Sequence, residues 1–182
     1  GQTKLPGNRQ RVISSGDIQF PNRSIVNGTF NIDRDMLLMG TFRDTLGGRV
    51  PLHVQAVVSS GEGRNTQVAS EGLAWTGRVE VLPLGAFLRG GDYFEGDLMH
   101  EPKPRLSVGV TWSLNENALR TGGQLGHPLW SPRTMTTVLA DALLKYQGLA
   151  VYAEYAYRDA DDPVTTRAGE APRFVYTGHG AL

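Results

Sequence analysis

Hydrophobic and polar residues alternate along residues 134–159, and a strict period of two predicts β-strands. We expect a hairpin with strands over residues 138–146 and 149–157 and a turn at Gln147-Gly148. Its apolar face carries Val138, Ala140, Ala142, Leu144, Tyr146, Leu149, Val151, Ala153, Tyr155 and Tyr157. Its polar face carries Thr137, Asp141, Lys145, Tyr152, Glu154 and Arg158, with Leu139 and Leu143 as exceptions.

A two-residue turn would place Asp141 directly across from Glu154. Like charges in that position destabilise a sheet. We therefore expect either a longer turn or a basic side chain from a neighbouring strand between the two carboxylates.

The same alternation predicts further strands over residues 36–43, 50–60, 73–81, 105–114 and 173–182, and a short one over residues 11–14. Connections are predicted where Gly, Pro and polar residues accumulate, at residues 61–67, 83–104 and 115–131, with a turn at Asn27-Gly28. Residues 135–146 also fit a helical spacing, but the neighbouring strands and the matched lengths of the two hairpin halves favour a strand. An all-β antiparallel fold follows, with residues 1–182 as a single domain.

The pattern leaves open which face of the sheet is buried. A soluble sandwich buries its apolar face, whereas a transmembrane barrel turns that face to lipid and keeps a polar interior. Strands of this length, joined by tight turns and long loops, are typical of transmembrane barrels. Aromatic residues on the apolar faces (Trp75, Trp112, Tyr155 and Tyr157) suit a membrane interface. We therefore predict an antiparallel transmembrane β-barrel.

The alternative is a soluble extracellular β-sandwich that binds carbohydrate. In that class Trp75, Trp112 and Trp130 would be exposed stacking platforms for sugar rings.

Composition narrows the possible partners. The chain has 18 basic and 18 acidic residues, so no bulk field attracts nucleic acid, and we exclude nucleic acid as a partner. It contains no cysteine and no run of eighteen apolar residues that would predict a membrane-spanning helix. Residues 1–9 lack the apolar core of a signal peptide, and both ends resemble cut ends. We expect a part of a longer protein, truncated at both ends.

Several motifs occur in an order that points to a family. The segment NRQRVISSGDIQFPNRSIVNGTFNIDRD resembles a stretch of the phosphate-selective porin O and P family of the outer membrane, in particular its Bacteroidetes-type members. The later motifs GEGRN, YFEGDL, RTGGQLG and YAEYAYRD are similar to that family as well. Together they span most of the chain.

The resemblance implies an outer-membrane porin of a Gram-negative cell. It implies a homotrimer of antiparallel barrels with about sixteen strands each, of which this chain would form a part. Its partners would be outer-membrane lipid and small anions such as phosphate. The expected function is passive diffusion of small anionic solutes, phosphate among them, or of neutral solutes.

Seven basic residues are the candidates for lining a pore and binding anions, because fixed positive charges select anions. They are Arg9, Arg11, Arg23, Arg34, Arg78, Lys145 and Arg158. The first four have a competing interpretation as structural salt bridges to Asp17, Asp33 and Asp35. The last three lie on polar strand faces and have a competing interpretation as solvated surface residues.

No motif indicates an enzyme. The sequence contains no GxSxG, P-loop or Cys–His arrangement, and its four histidines lack a metal-binding spacing. The acidic residues Asp159, Asp161 and Asp162 lack the EF-hand spacing and favour a solvated loop over a Ca²⁺ site. We expect no catalytic residues, no metal and no cofactor.

Overall fold

In a computed structural model, residues 1–64 and 71–182 are described and form an all-β antiparallel structure, as predicted. The strands are β1 Gln2–Lys4, β2 Arg34–Leu46, β3 Val50–Ser59, β4 Ala74–Val81, β5 Arg105–Arg120, β6 Pro128–Tyr146, β7 Leu149–Ala160, β8 Val164–Thr165, β9 Arg173–Phe174 and β10 Gly178–Ala181. Two short helices, α1 Arg9–Val12 and α2 Ile25–Phe30, precede β2, and 3-10 turns lie at Leu88–Tyr93 between β4 and β5.

Eight of the strands form one curled sheet in the order β1-β2-β3-β4-β5-β6-β7-β10. Strands β2 to β7 pair in chain order, so the sheet is a meander that curls into a half-barrel. The described residues do not close it: β2 pairs with β1 over three residues only, and β10 borders no further strand. Strands β8 and β9 form a separate small hairpin.

The predicted hairpin is confirmed as β6 and β7. Tyr146 pairs with Leu149, so Gln147 and Gly148 alone make the turn, with φ of 48° and 89°. Positive φ at both central residues gives a tight turn whose twist matches that of the flanking strands. Consequently Asp141 does lie directly opposite Glu154.

The two faces of the sheet differ sharply in chemistry. The outer face exposes large apolar side chains, namely Leu38, Phe42, Trp75, Val79, Val108, Val110, Trp112, Leu144, Tyr146, Val151, Tyr155 and Tyr157. The inner face buries polar and charged ones, namely Ser59, Thr76, Arg78, Glu80, Ser107, Thr111, Ser113, Asn115, Thr137, Asp141, Lys145, Glu154 and Arg158. The usual arrangement of a soluble sheet is the reverse.

The inner face is buried because other parts of the chain cover it. Residues 5–33, which we call the N-terminal segment, lie against it together with the β4–β5 connection. Leu139 joins the N-terminal segment in an apolar cluster with Leu5, Val26 and Phe30. Leu143 is fully buried. The two leucines that interrupt the polar face of the hairpin are therefore buried positions on a covered face.

Four local predictions are wrong. The last predicted strand, over residues 173–182, is interrupted at residues 175–177, and its two parts, β9 and β10, belong to different sheets. Residues 11–14 do not form a strand, because Asn8 caps helix α1 by accepting a bond from the Arg11 backbone N at 3.1 Å. Asn27-Gly28 is not a turn but part of α2, which Ser24 caps. Residues 115–131 are mostly strand, since only residues 121–127 connect β5 to β6.

Residues 65–67 of the predicted connection at 61–67 lie outside the described part of the chain, as does the last residue of the GEGRN motif. Within residues 1–64 and 71–182, no helix is long and apolar enough to cross a membrane.

Candidate functional site

A row of mostly charged residues crosses the inner face from strand to strand. Strand register aligns, from β2 to β7, Arg43, His53, Glu80, Gly109, Asp141 and Glu154. We call these six residues the charged row. Three of them are carboxylates, and all three are buried. Burying charge without a partner costs several kcal/mol per ion, so the row requires compensating groups from elsewhere in the chain.

Two guanidinium groups neutralise Glu80 and Asp141. Arg78 on β4 donates from Nη1 and Nη2 to the two oxygens of Asp141 at 2.7 and 3.0 Å, in the forked geometry that arginine prefers. It also donates to Glu80 Oε2 at 3.0 Å. Arg9 of α1 donates from its backbone N to Asp141 at 3.0 Å, and its Nη2 lies 3.0 Å from Glu80 Oε2. We call these four side chains the ionic cluster.

Gly109 makes the ionic cluster possible. Arg78 lies on β4 and Asp141 on β6, so the guanidinium must cross β5 at the position of Gly109. A Cβ at that position would lie 2.3 Å from Arg78 Nη2 and 2.7 Å from its Cζ. A residue without a side chain is what keeps the crossing open.

Glu154 is bound by neutral donors. Asn8 Nδ2 donates to Oε2 at 2.6 Å, the Tyr152 hydroxyl donates to the same oxygen at 2.9 Å, and the Ser24 hydroxyl donates to Oε1. The pair with Asp141 is tolerated because Asp141 is held by two arginines. Both alternatives expected from the sequence are wrong: the turn has two residues, and Arg78 binds Asp141 from the β4 side, away from Glu154, so no basic side chain of the described residues lies between the two carboxylates.

Lys145 and Arg158 hold the covering segments to the sheet. Lys145 Nζ donates to the carbonyl of Gly91 in the β4–β5 connection at 2.6 Å, and Arg158 Nη2 donates to the Phe30 carbonyl at the end of α2 at 2.9 Å. With Arg78 they lie on the inner face, as predicted, and none is more than 2% exposed. The donors of these three side chains bind acceptors of the protein itself. They are therefore not available to bind solutes on the inner face.

The four predicted arginines of the N-terminal segment and β2 separate into two places. Arg9 belongs to the ionic cluster, while the other three join Lys4 and Arg64. We call this second group the cationic cluster: Lys4, Arg11, Arg23, Arg34 and Arg64.

Mutual repulsion in the cationic cluster is visible in its acid–base properties. Burial and the charges of Arg23, Arg34 and Arg64 lower the pKa of Arg11 to about 10. Burial, followed by three of these arginines, lowers the pKa of Lys4 as well. Burial is the larger cause for both groups, and repulsion among the like charges, which an anion would relieve, adds to it.

The competing salt-bridge interpretation holds for one of these arginines. Asp33 contacts Arg11 and lies 2.9 Å from Arg64 Nε. Arg23 instead donates to the backbone carbonyl of Gln10 at 2.6 Å. Arg34 is exposed and forms no salt bridge to an acidic side chain in residues 1–64 or 71–182.

A cavity of about 210 Å³ opens at the β2 end of the charged row. We call it the row-end cavity, and its lining includes Lys4, Thr41, Arg43, His53, Gln55 and Tyr93. Thr41, Arg43 and Tyr93 are exposed, because here the N-terminal segment leaves part of β2 uncovered. The accessible part of the inner face therefore lies beside Arg43 and the cationic cluster.

Comparison with protein-family models, with curated proteins and with solved structures finds no match for this chain. The family suggested by the sequence motifs therefore stays a prediction.

The structure also shows where the residues considered for metal binding and for carbohydrate binding lie. No group of three or more His, Asp or Glu side chains is arranged to hold a metal ion in the part of the chain that the structure describes. Trp75 and Trp112 are exposed on the outer face, at 46% each. Trp130 is covered by Arg173, whose Cζ lies 3.5 Å from the ring centroid, so this ring face is not a free stacking platform.

Sequence reasoning missed several residues of the site. Gly109 and Asn8 carry no charge and gave no signal of their role. Arg43 ends the predicted strand over residues 36–43, and alternation does not single out a polar face there, because Leu37 and Leu38 place apolar side chains on both faces. His53 alternates with the apolar residues of its predicted strand, but its alignment with Glu80 depends on strand register, which the pattern does not fix.

Proposed function

We propose that this chain forms part of the wall of an outer-membrane β-barrel porin, through which small anionic or neutral solutes diffuse passively. The observation that carries the proposal is the inverted distribution of side chains. Large apolar residues are exposed on the outer face of the sheet, and charged residues are buried on the inner face. A lipid-facing barrel wall requires this arrangement, because hydrocarbon surrounds it and water fills its interior.

The open edges of the sheet fit the same proposal. Most of β2 has no partner among the described residues on the side away from β3, and unpaired strand edges promote association with further strands. In the proposed barrel these edges pair with additional strands, to a total of about sixteen. A homotrimer in the outer membrane of a Gram-negative cell, in contact with lipid, belongs to the same proposal.

Anion preference follows from the cationic cluster. It brings five basic side chains together, of which Arg11 and Arg64 pair with Asp33. Fixed positive charge beside an aqueous path lowers the free energy of a passing anion, and phosphate is one candidate. The ionic cluster, by contrast, is internally neutral and buried, so its role in this proposal is to fix the N-terminal segment.

Introducing an arginine on the outer face by mutation tests whether that face contacts lipid. Val110 lies in the interior of β5 and is 48% exposed. If it faces lipid near the bilayer midplane, Val110→Arg should lower the free energy of unfolding by about 2–4 kcal/mol. If it faces water, the change should stay within about 0.5 kcal/mol.

Val164→Arg is the matched control, because Val164 is 54% exposed but lies on β8, outside the curled sheet. Both variants are compared with the unchanged protein by urea unfolding in lipid vesicles. A Val110→Arg variant as stable as the control would refute the membrane proposal and favour the soluble sandwich. Ion selectivity is then read from the reversal potential across planar bilayers in a KCl gradient, where a cation preference would refute the role of the cationic cluster.

A further inference from the structure

The row-end cavity is lined by a positively charged side chain, Arg43, that is not paired with any described residue. Arg43 makes no side-chain hydrogen bond or salt bridge to any residue in the described ranges, and it acts electrostatically on the neighbouring Tyr93. Lys4, on the same cavity wall, has only a long contact of 3.5 Å to the Ile13 carbonyl. Two positive groups are therefore directed at one small space, and their common complement is an anionic group.

Acceptors and neutral polar groups line the same cavity. Glu80 is neutralised by Arg9 and Arg78 through Oε2, but its buried Oε1 has no hydrogen-bond partner among the described residues. His53 Nδ1 lies 3.8 Å from Oε1, beyond hydrogen-bond range. Oε1 is buried, so a ligand in the cavity does not contact it, and the neutral polar groups open to a ligand are Gln55 and Thr41.

Gln55 and Thr41 add further hydrogen-bonding capacity. The Gln55 amide makes only a weak contact to the Met39 sulfur, at 3.5 Å. Thr41 is exposed at the rim. Amide and hydroxyl groups of this kind both donate and accept, which suits a ligand that carries several hydroxyls.

The volume and the apolar lining of the row-end cavity favour a ligand with a carbon skeleton. The volume of about 210 Å³ is about seven times the share of one water molecule in the liquid. Leu5, Pro6 and Val12 line one part of the cavity, and the Tyr93 ring lines another. A ligand with a carbon skeleton fills such a space and contacts these walls, whereas a compact inorganic anion would contact one side only.

We propose that the row-end cavity is a binding site for a hydroxylated carboxylate of the sugar-acid class. Its carboxylate binds between Arg43 and Lys4, and its hydroxyls exchange hydrogen bonds with Gln55 and Thr41. This inference rests on the proposed porin function and names the solute class that the pore would favour.

Isothermal titration calorimetry on the full chain in detergent micelles tests the site without requiring conduction. The probes are D-glucuronate, D-glucose and inorganic phosphate. We expect glucuronate to bind at least tenfold more tightly than either of the other two, because only glucuronate supplies both a carboxylate and hydroxyls. Phosphate binding as tightly as glucuronate would overturn the proposal.

Arg43→Gln is the test variant, and Arg49→Gln in the β2–β3 turn is its matched control. Loss of the charge-assisted bond should weaken glucuronate binding roughly ten- to hundredfold in Arg43→Gln and leave it unchanged in Arg49→Gln. Equal affinities in the two variants would overturn the proposal. Circular dichroism checks folding, which Arg43→Gln should preserve because this side chain has no protein partner in the described part of the chain.

The outcomes separate the two proposals. A protein that conducts with anion selectivity but does not bind glucuronate refutes the sugar-acid site and leaves the porin function standing. A protein that binds glucuronate in micelles but forms no pores in bilayers refutes the porin function and leaves the site standing.

Discussion

Replacing Gly109 by alanine perturbs the ionic cluster at one atom. The new Cβ would lie 2.3 Å from Arg78 Nη2, so the guanidinium must move away. The end of a free arginine would move at little cost, but this one is held on several sides. It donates to both oxygens of Asp141, to Glu80 and to the Gly7 carbonyl at 2.8 Å.

The expected magnitude follows from the bonds that this movement breaks. Hydrogen bonds to charged groups contribute about 1.5–3 kcal/mol each, and overpacking a tight site costs about 1–3 kcal/mol. Partial relaxation offsets some of this, and we expect Gly109→Ala to lower the free energy of unfolding by about 2–4 kcal/mol. Gly77→Ala is the matched control on β4, because the nearest atom to its Cβ is the Gln55 carbonyl oxygen at 4.0 Å. That control should stay within about 0.5 kcal/mol of the unchanged protein.

Urea unfolding of the reconstituted protein, followed by tryptophan fluorescence, measures both variants. A double-mutant cycle with Asp141→Asn adds a second criterion. If Gly109→Ala acts by displacing Arg78 from Asp141, the coupling between the two changes should be at least about 1 kcal/mol. Equal stabilities of Gly109→Ala and Gly77→Ala, or purely additive effects in the cycle, would refute the reasoning.

Two further predictions concern the covering of the inner face. Leu139→Ala should lower the free energy of unfolding by about 2–5 kcal/mol in the same assay, since Leu139 is buried beneath the N-terminal segment, whereas a leucine facing open water would lose almost nothing. Lys4→Gln should be more stable than the unchanged protein at neutral pH, because a lowered pKa means that the folded state disfavours the charged lysine. This advantage should disappear as the pH rises through the folded-state pKa to the ordinary lysine value of 10.5, and an advantage independent of pH would contradict it.

The strands were predictable because their signal is local. A period of two over eight or more residues specifies a strand and its two faces without knowledge of the rest of the chain. The hairpin of β6 and β7 and the opposition of Asp141 and Glu154 followed from that pattern and from a turn of two residues. The helices were missed since each is shorter than two turns, which leaves capping by Asn8 and Ser24 as the main signal.

The site was less predictable because it depends on contacts between distant segments. Arg9 and Arg11 are two residues apart, yet they belong to different clusters. Residues at i and i+2 of a helix point in different directions, so α1 sends one guanidinium towards Asp141 and the other towards Asp33. A reading of the segment as a strand, or as a group of like charges, cannot separate them.

The two apolar exceptions on the polar face of the hairpin indicate that another segment covers this face. Leu139 and Leu143 interrupt an otherwise polar face, on either side of Asp141, and a face open to water gains nothing from two inward leucines. Both positions are buried. Mixed polar and apolar residues on one face indicate a surface covered by another segment of the chain, rather than the wall of an empty channel.

The N-terminal segment and the sheet are therefore energetically one unit. Without the segment, Asp141 would lose Arg9, Glu154 would lose Asn8, and Arg158 would lose the carbonyls at the end of α2. Water can replace such polar bonds at a net cost of about 0.5–1.5 kcal/mol each, but it cannot replace the apolar contacts of Leu139. Displacing the whole segment for each passing solute would cost the sum of these free energies. In the proposed pore, solutes therefore pass beside the segment, where the row-end cavity and the cationic cluster lie.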